Sequence, residues 1–130
     1  DWSSDVCSSD LHFARWMRKT ELTNEALCEA VREMLLGLVD ADLGGHVFKK
    51  RVALPNRGKR GAVRTLVATH QRGAWFFVFG FEKNERASIS SKELEALQAI
   101  AQDLLSLSSK ALDANITCGA LERICHDDEA

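Results

Sequence analysis

Eight lysines and arginines fall between Leu43 and Phe81, and no aspartate or glutamate falls among them. They are Lys49, Lys50, Arg51, Arg57, Lys59, Arg60, Arg64 and Arg72. The whole chain of 130 residues carries a formal net charge of −2, so this positive charge is local. A cationic segment inside an acidic protein suits polyanions, and RNA is the commonest of them. A charge run is more often a solvated face. The complete lack of acids is what favours binding here.

The spacing sharpens the chemistry. Strand alternation over Val47–Leu54 puts Lys49 and Arg51 on one face and Phe48, Lys50 and Val52 on the other. Two cations that point the same way can grip consecutive phosphates. Arg64 follows a glycine-punctuated stretch that carries Lys59 and Arg60. A guanidinium there can hold a phosphate through two parallel bonds, which an ammonium cannot do. Lys83 and Arg86 come directly after an aromatic run. The expectation is that Lys49, Arg64 and Lys83 meet on one concave face. For any single charged residue plain surface is the commoner outcome; the group carries the expectation.

Other chemistries are poorly supplied. His12, His46, His70 and His126 form no helical i, i+4 pair, so a zinc site is not expected. His46 and His70 read as solvent-exposed residues at a turn or strand end. No glycine-flanked nucleophile and no complete phosphate-loop pattern is present. Asp40, Asp42 and the glycines beside them do not fit a calcium loop. Trp75, Phe76, Phe77, Phe79 and Phe81 read as core rather than as a platform for bases.

The elements that must position the basic residues are legible. Thr23 is suited to cap a helix whose stripe is Leu27, Val31, Met34, Leu35 and Leu38. Asp40–Gly45 reads as a turn. Val47–Leu54, Val63–His70 and Trp75–Phe81 read as strands, with a loop over Pro55–Gly61. The third strand is apolar on both faces and should be central. Short connections between the three predict an antiparallel meander. Ser90 and Glu93 have capping-box spacing ahead of a helix reaching Leu107. Ala111–Cys125 reads as a helix or a short strand broken at Gly119, and His12–Lys19 as the end of a first strand. The fold class is α+β, a small antiparallel sheet covered by helices.

Hydrophobic residues make up 45% of the chain, which is the composition of one ordinary globular domain. No apolar run approaches the roughly 20 residues needed to cross a bilayer. Cys7, Cys28, Cys118 and Cys125 have neither metal-site nor framework spacing, so they are expected to be reduced, in a cytoplasmic protein. Asp1–Leu11 (DWSSDVCSSDL) lacks periodicity and resembles a translated sequencing adapter. It is expected to be non-native and to stand outside the fold, with the domain running over residues 12–126 and an acidic tail over 127–130.

The segments VFKKRVALPNRGKRGAVRTLVA, WFFVFGFEKNER and SSKELEALQAIAQDLL together resemble the RelE/HigB-type toxins of bacterial toxin–antitoxin modules. The resemblance spans about His12 to Ile124, and its order and spacing make it specific. It implies a small ribonuclease that acts on mRNA in the ribosome, using the RNA's own 2′-hydroxyl and neither metal nor other cofactor. It implies catalytic roles for Lys49, Arg51, Arg64 and Lys83, and RNA-binding roles for Lys50, Lys59, Arg60 and Arg86. It also implies a cognate helix-turn-helix antitoxin and no membrane partner. Relatives often have Gly-Lys-Ser-Gly-Gly where this chain has Gly58-Lys59-Arg60-Gly61-Ala62. The chain has no tyrosine, so Phe81 or Trp75 would have to stack on a base without donating a proton. Alternative readings are a non-catalytic RNA-binding or gyrase-directed relative, and an interaction protein whose basic patch meets an acidic partner.

Overall fold

The computed structural model describes residues 7–54, 58–70, 74–82 and 88–124, without the side chains of residues 7–11 and 58–61. The elements in chain order are β1 (Cys7–Asp10), α1 (Leu11–Lys19), α2 (Asn24–Leu35), β2 (Ala41–Asp42), β3 (Val47–Leu54), β4 (Gly58–Thr69), β5 (Trp75–Glu82), α3 (Ser91–Leu105), α4 (Ser109–Thr117) and β6 (Leu121–Arg123). They build one sheet in the order β2-β3-β4-β5-β1-β6. From β2 to β5 every pairing is antiparallel. β1 lies parallel to β5 and antiparallel to β6. The α+β architecture and the β3–β4–β5 meander are those expected from the pattern. No helix among the described residues is long and apolar enough to cross a membrane.

Helices cover both faces. On one face Phe13 of α1 and Leu27, Ala30, Val31 and Met34 of α2 pack on Val52, Leu54, Val63, Val67, Trp75 and Phe77. On the other, Leu97 and Ala101 of α3 and Leu112 of α4 pack on Val47, Leu66, Ala68, Phe76 and Val78. The strand apolar on both sides is therefore buried from both sides, because each face needs its own helical layer to exclude water.

Local chemistry sets the helix ends. The Thr23 hydroxyl accepts from the Ala26 amide at the start of α2. At its other end Leu38 N donates to Glu33 O and Gly37 N to Met34 O, with Gly37 at φ 90°. That double closure needs a residue at positive φ, which glycine adopts without a Cβ clash. Leu35 and Leu38 fall beyond the buried stripe and are exposed. The Ser90–Glu93 capping box forms as its spacing predicts, and Gly119 breaks the chain between α4 and β6.

Four expectations are corrected. His12–Lys19 is helix: Phe13, Ala14, Trp16 and Met17 share a helical face, which a short window does not distinguish from a strand end. Cys7–Asp10, set aside as outside the fold, fills the slot between β5 and β6. Strand pairing uses main-chain groups, so a polar segment without alternation can still form it. β4 begins at Gly58, so the supposed loop over Gly58–Gly61 is strand. Cys28 is disulfide-bonded rather than reduced. Its sulfur lies 3.3 Å from the carbonyl oxygen of Ile124, 96 positions away, a proximity that cysteine spacing does not reveal. Cys118 is free and exposed.

Gly80 lies beneath the indole of Trp16: a Cβ there would be 2.3 Å from the ring. Gly80→Ala must displace the indole and is expected to destabilise the fold by about 1–3 kcal/mol. A urea midpoint unchanged in this variant would contradict the seating of Trp16 on β5.

Candidate nucleic-acid interface

The basic face is built by the register of β3, β4 and β5. Arg51 pairs directly with Arg64, Lys49 with Leu66, and Arg64 in turn with Phe81. Lys49, Arg51 and Arg64 thus share the sheet face that α3 and α4 cover further along, over Val47, Leu66 and Ala68. Arg51 is exposed, while Lys49 and Arg64 are half-buried. Directly opposed residues bring their Cβ atoms to about 5 Å, and a diagonal pair such as Lys49 and Arg64 to about 7–8 Å. The backbones of Lys49, Arg51 and Arg64 therefore start from neighbouring positions on one sheet face.

Like charges directly opposed across strands are unfavourable. No acid among the described residues forms an ion pair with Lys49, Arg51 or Arg64; the ion pairs found involve Arg18, Arg32 and Lys50. Two directly opposed arginines that form no ion pair among the described residues leave their charge available to an external anion. Arg51→Thr should therefore raise stability by up to about 1 kcal/mol while weakening the binding of single-stranded RNA. Lowered stability in a melting experiment would mean that the two arginines do not repel. The backbone of this row is pinned at the sheet edge. Asp40 N donates to Lys49 O at 2.9 Å, and the Arg51 amide donates to the Asp40 carboxylate. Asp40, just ahead of β2, thereby fixes the two residues that carry the cations.

Lys50 is not part of this face. Its side chain is buried on the opposite one, where Nζ lies 2.7 Å from Glu33 Oε1 and donates to Leu38 O at 3.0 Å. It ties α2 to β3, and the expectation that it binds RNA is corrected. The alternation had already placed it away from Lys49 and Arg51. Trp75 and Phe81 are buried, 1% and 3% exposed, so neither offers a ring to a base; the aromatic run is core. Lys59 and Arg60 lie on β4, but their side chains are outside the described residues, as are Lys83 and Arg86 altogether. The described part of the candidate site is therefore Lys49, Arg51 and Arg64.

The structure also brings together two residues that the sequence left apart. His46 and His70 flank β3 and β4 at the same end of the pair, and their ring centroids are 4.4 Å apart. The signal was available in the register, since Val47 pairs with Ala68. It could be read only once both strand ends had been placed.

Residues 9–124 match the family model described as the RelE toxin of the RelE/RelB toxin–antitoxin system. No curated protein matches the chain.

Proposed function

The chain belongs to the RelE toxin family of RelE/RelB toxin–antitoxin systems, and from that premise we propose that it is an endoribonuclease that cuts mRNA on the ribosome. The observation that carries this reading is the Arg51–Arg64 cross-strand pair with Lys49 beside it and no ion pair to any of the three among the described residues. In the proposed reaction the 2′-oxygen of one nucleotide attacks the adjacent phosphorus. The bond from phosphorus to the 5′-oxygen breaks. A base accepts the 2′-hydroxyl proton, and the leaving 5′-oxygen gains a proton from an acid. The products are a 2′,3′-cyclic phosphate and a 5′-hydroxyl. Negative charge crowds onto the phosphoryl oxygens in the transition state, and fixed cations stabilise it without reorganising.

Arg64 and Arg51 are suited to clasp the phosphoryl oxygens, because a guanidinium offers paired donors in a fixed plane. Lys49 adds a mobile point charge beside them. Lys83 is assigned to the same centre, and Lys59, Arg60 and Arg86 to binding of the flanking RNA. The natural partner is the antitoxin named with the family, proposed to be a helix-turn-helix protein that keeps the toxin silent. Action on ribosomes places the protein in the cytoplasm.

The test is induction of the chain alone and together with its antitoxin. Growth arrest and cut message only in the absence of antitoxin are expected. Arrest with intact message would favour a non-catalytic or gyrase-directed toxin. Association with RNA should also weaken steeply with added salt, since each neutralised phosphate releases counter-ions. A salt-insensitive interaction would point to a protein partner for the patch.

A further inference from the structure

We propose that His46 and His70 form a binding site for a divalent transition-metal ion that prefers right-angled coordination, of the nickel or copper class. The site is separate from the basic face and does not depend on the proposed nuclease activity. The imidazole centroids are 4.4 Å apart and the ring planes meet at 73°. A metal bonded to a ring nitrogen at about 2.0–2.1 Å lies about 3.2 Å from that ring's centroid. The two exposed rings meet edge to face; when both turn a nitrogen to one ion, centroids 4.4 Å apart subtend about 90° there, the angle between adjacent ligands in square-planar or octahedral geometry. Tetrahedral coordination, the preference of structural zinc, would hold the centroids about 5.2 Å apart.

Two further features favour a built site. His46 sits at φ 67°, in the turn that leads into β3, a conformation for which histidine is enriched among residues other than glycine. Here His46 O accepts from Thr69 N at 3.0 Å, which locks its position against the end of β4. The rings open into a groove of about 520 Å³, also lined by Gln98 and Gln102 from one side of α3. Their amide oxygens are of the type that can complete an octahedral shell together with water. No cluster of three or more His, Cys, Asp or Glu side chains stands among the described residues. The ion is therefore held by two protein nitrogens and stays exchangeable, removable by a chelator. Bound, it would clip together the ends of β3 and β4 remote from Arg51 and Arg64.

The experiment is calorimetric titration of the untagged full chain with Ni(II), followed by melting with and without the ion. Nickel is preferred to copper as the probe because Cys118 is an exposed free thiol. One ion per chain is expected in the tighter step, with Zn(II) binding more weakly and with a rise in melting temperature on adding Ni(II). His70→Gln and His46→Asn, the latter chosen because asparagine tolerates positive φ, should each lower Ni(II) affinity at least about tenfold and remove the thermal shift. His12→Ala and His126→Ala should change neither. Unchanged Ni(II) affinity in the His46→Asn, His70→Gln double variant, folded by circular dichroism, would overturn the proposal. So would loss of binding in His12→Ala or His126→Ala.

Discussion

Arg64→Ala is expected to lower mRNA cleavage by at least about 100-fold, the loss typical of removing one donor aimed at developing negative charge. The protein should stay folded and be no less stable, because Arg51 loses a like-charged neighbour directly across the strand pair. Arg64→Lys should fall between the two: it keeps the charge and loses the paired donors. Lys49→Ala, on the same face one row away, should also reduce cleavage. The measurement is the rate of message cutting in a translation reaction of defined components, with circular dichroism to establish folding. A toxic, folded Arg64→Ala protein that cuts nothing would shift the assignment to a non-catalytic toxin. An Arg64→Ala protein that still cuts at the parental rate would remove Arg64 from the site.

The second large effect is on stability and concerns the other lysine of the strand. The Lys50 side chain is 9% exposed, and its ammonium is satisfied by Glu33 and the Leu38 carbonyl. Glu33→Ala leaves that charge buried with a single neutral partner and is expected to destabilise the fold by about 3 kcal/mol. Glu33 is 43% exposed, so water softens the loss toward the lower end of the usual range. Lys50→Met removes the charge together with the need for a partner and should be milder, about 1–2 kcal/mol. Cleavage per folded molecule should be unchanged in Lys50→Met. Equal destabilisation by the two variants in urea titrations would contradict this account of the pair. Lost cleavage in a stable Lys50→Met protein would return Lys50 to the RNA site.

The contrast between Lys49 and Lys50 shows what was legible in the sequence. Alternation alone sorted them onto opposite faces, because the period of a strand is fixed by backbone geometry. It did not show that the second face would be covered by α2, so the RNA-binding role that the resemblance implies for Lys50 was not excluded by the sequence. The capping residues Thr23 and Ser90 were readable because a cap is a local bond between neighbours. The strand Cys7–Asp10 was not, since its pairing depends on main-chain groups of β5 and β6 and leaves no side-chain period. The disulfide of Cys28 and the contact of His46 with His70 are long-range juxtapositions of the same kind. The pairing of Arg51 with Arg64 was half visible: both residues were singled out, but their register depends on the length of the β3–β4 connection. Lys83 and Arg86 lie outside the described residues, so their place beside Arg64 is a proposal.

Opposed cations on β3 and β4 are proposed to drive attack of an RNA 2′-hydroxyl on its own phosphate. The decisive experiment adds the purified chain to ribosomes carrying a defined message and analyses the new RNA ends. A 2′,3′-cyclic phosphate is expected on the upstream fragment and a 5′-hydroxyl on the downstream one, with the yield collapsing in Arg64→Ala. Fragments bearing 5′-phosphates, or intact message beside a folded protein, would contradict it.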